Sequence, residues 1–343
     1  MADSTRKKRL LLASVTSGIV FACGIVFLWI GSVPVWTSRI VQGALAAAIA
    51  PALTSITLGL VGQEGLPARL GLNQAWNHFG NCSTALLGGL VGYYYGIPGV
   101  FVVLALMGGL VVLCLARINP RQINYAVARG LDERQEGEKM TPARELFASP
   151  AVLAVGVTLF FFHLGNAAML PLLGQSAVAR FDVDPAVYTA ATIFIAQTTM
   201  IVTALWGAKQ ARLRGYGLLF IIALLALPLR GIIAGCFDSS WNIIPVQMLD
   251  GVGAGLIGVA TPGIVARLLK GTGHINMGLG FVLTVQGVGA ALSSSYGGLF
   301  AHHISYQVSF IALAAAPCFG LALFVMAVRR YPLLTRAAAS HSA

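Results

Sequence analysis

Charge is what this sequence has least of. Only 10% of its 343 residues are Asp, Glu, Lys or Arg, whereas 57% are hydrophobic. A soluble domain typically carries about 25% charged residues, so this chain has too little polar surface for a water-soluble fold. Its five cysteines are scattered and lack the C-x-x-C spacing of metal or redox sites. We therefore expect free thiols, no metal and no cofactor.

Short alternating segments, which are typical of outer-membrane strands, are also missing. The apolar residues instead form runs of about 20, long enough as helices to cross a hydrocarbon core of about 30 Å. Helices satisfy their own backbone polar groups, as lipid requires. The predicted fold is all-α, a polytopic bundle of about ten transmembrane helices. The predicted spans are 10–30, 37–61, 75–95, 97–116, 150–171, 187–207, 216–236, 242–268, 276–299 and 306–328.

The basic residues indicate the orientation of these spans. With the N-terminus inside, 19 of the 22 Lys and Arg residues fall in cytoplasmic segments, and only Arg39, Arg180 and Arg230 do not. Such a bias is the positive-inside pattern of membrane proteins rather than a nucleic-acid footprint. We predict a multi-pass, monomeric protein of the cell inner membrane with both termini in the cytoplasm. Its expected partners are lipid, a small solute and protons, with no nucleic acid.

One long polar segment divides the spans into four and six. The predicted parts are an N-terminal helical half at 1–116, a cytoplasmic linker at 117–149, a C-terminal helical half at 150–330 and a cytoplasmic tail at 331–343. Prolines inside the spans predict kinks or breaks, which neighbouring helices can repair. These prolines are Pro51, Pro171, Pro228 and Pro262.

The two halves contain related segments. Arg39-Ile-Val-Gln42-Gly43 in the second span aligns without gaps with Gln247-Met-Leu-Asp250-Gly251 in the eighth. Related halves are typical of transporters, which hold substrate near the membrane midplane between them.

These motifs resemble those of the major facilitator superfamily, and are closest to bacterial twelve-helix drug/proton antiporters. Arg39-x-x-Gln42-Gly43 resembles the fourth-helix motif of that family. The resemblance implies that the family's first two helices are absent here, and the Gly-Pro pattern of the antiporters' fifth helix is missing. Four further residues resemble the family's cytoplasmic loop motif and its repeat, which implies a role in conformational change. They are Asp3, Arg6, Lys209 and Arg214.

Three residues are candidates for proton coupling or cavity charge. Asp250 is the only one of eleven acidic residues deep in a predicted span, where a carboxyl is costly and functional by default; the alternative is a structural Asp beside Gly251. His163 could carry a proton or be a structural histidine. The resemblance gives Arg39 a role in coupling, and the alternative is extension to the headgroups. We also predict that the side chain of Arg230 extends to the lipid headgroups.

Polar residues inside several spans predict a wet centre, although each could instead hold helices together. Asn166 shares a helical face with His163, and the resemblance places its helix along the substrate cavity. The predicted substrate contacts are Gln42, Asn166, Gln197, Thr199 and Gln286.

The first hypothesis is a secondary transporter that works by alternating access, with proton-driven efflux of a small amphipathic compound. The alternative is a non-transporting membrane protein, such as a sensor, a partner subunit or an inactive truncated remnant. An enzyme is not expected, because no nucleophile–base pair is evident.

Overall fold

The computed structural model describes residues 7–29, 31–131 and 149–335. These residues form α-helices and three short 3-10 turns, with no strand among them. The prediction of an all-α fold is confirmed. The helices are α1 (Lys8–Leu28), α2 (Ser32–Ala46), α3 (Ile49–Arg117), α4 (Tyr125–Arg129), α5 (Pro150–Asn166), α6 (Met169–Arg180), α7 (Pro185–Arg214), α8 (Gly217–Cys236), α9 (Ile243–Leu268), α10 (Ile275–His303) and α11 (Tyr306–Arg330).

Helix α3 is divided by two glycines. Gly62 (φ 68°) and Gly96 (φ 67°) adopt non-helical backbone angles that other residues rarely take, so the helical pieces are 49–61, 63–95 and 97–117. In the described part of the chain, eight helical stretches are long and apolar enough to cross a membrane, and the longest contains both glycines. Dividing it into three gives the ten spans predicted. The third span begins at 63, not at 75 as predicted.

Two predicted spans are interrupted in the middle. Residues 47–48 separate α2 from α3, and residues 167–168 separate α5 from α6. Each interruption lies about four residues before a proline, Pro51 or Pro171, whose missing N–H leaves the carbonyl four residues earlier without its helical donor. The prediction that these prolines break their spans is right, whereas the other two prolines lie inside continuous helices.

The chain folds into two compact units. The first contains the described residues of 1–62, 83–141 and 269–280. In it the polar segment after Arg117 folds back onto the first piece of α3: the Asn124 N–H donates to Gly59 O (2.9 Å) and Ser55 Oγ donates to Ala128 O (2.5 Å). The beginning of this segment therefore has a fixed structure.

The second unit contains the described residues of 63–82, 142–268 and 281–343. Helices in lipid associate through close packing and hydrogen bonds rather than through the hydrophobic effect. Helices α7 and α9 follow this rule, since a Cβ on Gly251 would overlap Thr199 Cβ. Thr203 Oγ1 also donates to Gly251 O (2.9 Å). A buried cluster surrounds α6 and includes Met169, Leu172, Leu173, Tyr188, Ala234, Ile243, Val246, Phe310 and Leu313.

Candidate functional site

A buried ion pair lies within the second unit. Arg230 Nη1 on α8 is 3.0 Å from Asp250 Oδ1 on α9, and the two side chains are only 1% and 11% exposed. The same Nη1 donates a hydrogen bond to Asn166 Oδ1, at the last residue of α5. Three helices therefore meet at one guanidinium, which we call the charge cluster (Arg230, Asp250 and Asn166).

The prediction that Arg230 extends to the headgroups is wrong. Arg230 lies six residues before the end of α8, or about 9 Å along the axis, but its side chain turns inward to Asp250. A buried charge is tolerated when an opposite charge neutralises it. The sequence contained a signal for this pairing, because charged residues inside membranes usually pair with one another, and each of these two residues lies within a span.

The charge cluster and its neighbour Gln247 contain buried polar atoms that make no hydrogen bond to a described residue. Arg230 Nε and Nη2 are buried and have no partner among the described residues. The same holds for both amide atoms of Gln247, which is fully buried and lies one turn before Asp250 on α9. The Asp250 contact is an ion pair rather than an aligned hydrogen bond. Unsatisfied buried polar atoms cost about 1–3 kcal/mol each, so the cluster is poised to rearrange or to bind a polar group.

The cluster adjoins the interruption between α5 and α6. Asn166 precedes it, and the Ala168 N–H within it donates to Ser293 Oγ on α10 (2.9 Å). Pro171 lacks the N–H that would continue the helix here. Side chains from α8 and α10 therefore bind the residue before the interruption and a residue within it, Asn166 and Ala168.

His163 lies one turn before Asn166 and is half-buried. Its ring meets the ring of Phe162 edge-on, with centroids 5.1 Å apart. Its Nε2 is buried and has no hydrogen-bond partner in the described ranges. The structure brings His163 near the turn that carries Asn166, but places it in no hydrogen bond with the ion pair.

The candidates on α2 belong to the first unit. Arg39 is exposed. Gln42 Nε2 donates to Ser38 Oγ (2.7 Å), and Ser38 Oγ donates to Ala22 O on α1 (2.6 Å). This chain of hydrogen bonds joins α1 to α2, so the Gln42 amide takes part in helix packing. The roles predicted for Arg39 and Gln42 stay predictions.

The remaining substrate-contact candidates have different surroundings. Gln197 Oε1 lies 2.8 Å from His78 Nδ1 on α3, a pairing that the sequence reasoning missed. Thr199 Oγ1 donates to Ile195 O within its own helix (2.9 Å). Gln286 is half-buried on α10. Gln197 and Thr199 are thus engaged in helix contacts, and their substrate role stays a prediction.

Two of the loop-motif residues, Asp3 and Arg6, lie outside the described residues. Lys209 and Arg214 are exposed in the last turns of α7. The loop that follows is anchored by Tyr216, which is buried and lies under the Arg267 guanidinium, 5.2 Å from the ring centroid. Burial raises the pKa of the Tyr216 hydroxyl, and the positive charge of Arg267 partly offsets this.

Comparison with known proteins identifies the family. The sequence profile of the Major Facilitator Superfamily matches residues 1–233. The chain belongs to the Major Facilitator Superfamily. It is 33% identical over 330 residues to two proteins of Mycobacterium tuberculosis, each described as an uncharacterized MFS-type transporter. The alignment covers 96% of this chain and 79% of each relative.

Solved transporters share the fold of this Major Facilitator Superfamily chain. The human organic anion transporter MFSD10 (TETRAN) superposes with a TM-score of 0.69 at 12% identity, over 92% of this chain and 77% of its own. The transporter FucP in its outward conformation superposes with a TM-score of 0.69 at 10% identity, over 94% and 84%. Membership of this family makes the protein a multi-pass transmembrane transporter rather than an enzyme, and the predicted resemblance to the Major Facilitator Superfamily is confirmed.

Proposed function

We propose that the protein exports a small solute by alternating access and couples this transport to protons through Asp250. The observation that carries the proposal is the charge cluster, a carboxylate deep in a span of a transporter and held by a buried guanidinium. Ionisable residues within membrane spans usually mark ion or substrate pathways. Export is the direction that the resemblance to drug/proton antiporters implies.

Charge balance gives the coupling mechanism. With Asp250 ionised, the pair with Arg230 is neutral and can remain buried. When Asp250 takes a proton, the guanidinium loses its counter-charge and keeps only the neutral Asn166 oxygen as an acceptor. A buried charge without its partner costs about 3–5 kcal/mol. Proton binding therefore favours a rearrangement that gives Arg230 water or another partner.

The same rearrangement reaches the interruption between α5 and α6, because Asn166 ends α5. A change at Arg230 alters the support of this point, where the backbone has no continuous helical hydrogen bonds. In this proposal the predicted substrate contacts keep that role, each in its own unit: Gln42 in the first, and Asn166, Gln197, Thr199 and Gln286 in the second. His163 and Arg39 are secondary proton or charge sites, and the four loop-motif residues assist the conformational change.

The proposed setting is the cell inner membrane, with the termini and the segment at 117–149 in the cytoplasm and the helical halves at 1–116 and 150–330. The distribution of Lys and Arg supports this orientation. We propose a monomer, with lipid as its surroundings and no cofactor.

The test is a flux assay in vesicles that contain purified protein and a trapped pH-sensitive dye. A panel of small amphipathic solutes is added with and without a pH gradient. We expect at least one solute to move protons in the parent protein and Asp250→Asn to abolish this movement. Asp238→Asn is the matched control, because Asp238 is 72% exposed and pairs with Arg180 outside the charge cluster. Full proton movement by Asp250→Asn would remove Asp250 from the coupling role.

A further inference from the structure

One face of the piece of α3 that begins at residue 63 packs closely against α7 and α9. A Cβ on Gly71 would overlap Ala208 Cβ on α7, so the two backbones are nearly in contact. One turn further, Gln74 Nε2 donates to Gly258 O on α9 (2.8 Å). This side of α3 is therefore fixed to α7 and α9 by small residues and by hydrogen bonds that lipid cannot replace.

His78 lies one turn beyond Gln74 on the same face. It is 8% exposed, and its Nδ1 is 2.8 Å from Gln197 Oε1 on α7. Because the amide oxygen of Gln197 can only accept, Nδ1 carries the hydrogen of the ring. Nε2, the other ring nitrogen, is buried and has no partner among the described residues. The contact thus fits the neutral form of the imidazole.

We call the arrangement with His78 against Gln197 the closed contact. In it, no described group stabilises a second proton on the His78 ring. It would bind at Nε2 and create both a buried charge and an N–H without an acceptor. The charged residues of α7, α9 and this piece of α3 are Glu64, Arg69, Lys209, Arg212, Arg214, Asp250 and Arg267.

None of these residues stabilises a protonated His78, because the Lys and Arg residues carry a charge of the same sign and the two acids, Glu64 and Asp250, are distant or already paired. Arg69 is nine residues away along α3, or about 14 Å, and Glu64 is further. Lys209 and the arginines of α7 are at least twelve residues beyond Gln197, about 18 Å. Asp250 is already paired with Arg230.

We propose that His78 is a proton-binding site whose occupation opens the contact between α3 and α7. Nε2 can hold a proton only after it reaches water or a polar partner, so the proton stabilises the open arrangement. The closed contact is favoured at high pH and is lost as the pH falls. A single proton changes the ratio of open to closed forms by at most about tenfold per pH unit. A histidine that has reached water ordinarily titrates near pH 6.5, so the open arrangement gains its proton as the pH falls toward and below this value.

Cys82 provides a natural reporter, because it lies one turn beyond His78 on α3 and is a half-buried free thiol. The experiment uses a protein in which the other four cysteines are replaced by serine. The rate of maleimide labelling at Cys82 is measured in detergent between pH 7.5 and 5.5. The same measurement on His78→Gln, which keeps an N–H donor for Gln197 but does not titrate, corrects for ionisation of the thiol.

We expect the labelling rate of the parent relative to His78→Gln to increase as the pH falls, by up to about tenfold per unit. Gln74→Leu is the matched control in the same contact. It removes a hydrogen bond without a titrating group, so it should change labelling by the same factor at every pH. Identical pH dependence in the parent and in His78→Gln would overturn the proposal.

Gln197→Glu gives a second, independent result. A carboxylate beside the ring stabilises the imidazolium within the closed contact, so acid should no longer increase labelling of Cys82. Acid-induced labelling that persists in Gln197→Glu would also overturn the proposal. If the His78→Gln protein does not remain monodisperse, the result with Gln197→Glu alone tests the proposal. The assay uses no solute gradient, so its outcome is independent of whether Asp250 couples transport to protons.

Discussion

The ion pair between Arg230 and Asp250 predicts an unusual pattern of stability. Replacing one partner, in Arg230→Met or Asp250→Asn, leaves the other buried and uncompensated. This should lower the free energy of unfolding by about 3–5 kcal/mol. Replacing both removes the uncompensated charge. The double variant should therefore lose less than the sum of the two single losses, by at least about 2 kcal/mol.

Thermal unfolding in detergent measures this pattern. For a chain of this size, 1 kcal/mol corresponds to about 2 °C, so each single variant should lower Tm by about 6–10 °C. Arg180→Met is the matched control in the same unit. The partner of Arg180 is Asp238, which is 72% exposed, and pairs in contact with water contribute only about 0–1 kcal/mol.

The reasoning would be refuted if Arg230→Met were as stable as Arg180→Met. It would also fail if the two single losses simply added in the double variant, because additivity means that the two side chains do not interact. Either result would place Arg230 outside the charge cluster in the folded protein.

Two further predictions concern packing and pH. Gly251→Val should destabilise the protein by about 1–3 kcal/mol, because the valine side chain would overlap Thr199 and separate α7 from α9. Thermal unfolding measures this loss. The control is Gly174→Val, because a Cβ at position 174 meets open space. Burial raises the pKa of Tyr216, so the folded state favours its neutral form. Stability is therefore retained below about pH 10 and lost above it by up to about 1.4 kcal/mol per pH unit. Tyr216→Phe should remove this loss, and an equal slope in both proteins would contradict the assignment.

The local features of the fold could be predicted from the sequence because they depend on neighbouring residues. Runs of about 20 apolar residues determine where helices cross lipid, and Pro51 and Pro171 break their spans by lacking an N–H. The start of the third span was not predicted, because Glu64 and Arg69 are typical of a loop. The structure continues the helix through them, since one side of this piece packs against α7 and α9.

The amino-acid sequence alone was enough to predict that the protein lies in a membrane, that it has about ten spans and which family its motifs resemble. It also marked Asp250 as the buried acid. The contacts of these polar side chains depend on the tertiary structure: Arg230 turns to Asp250 and Asn166, and His78 pairs with Gln197, 119 positions along the chain. Hydrophobicity and helix breaks act over a few residues. In contrast, the partner of a buried polar group is chosen by which helices pack together, and no local pattern records that choice.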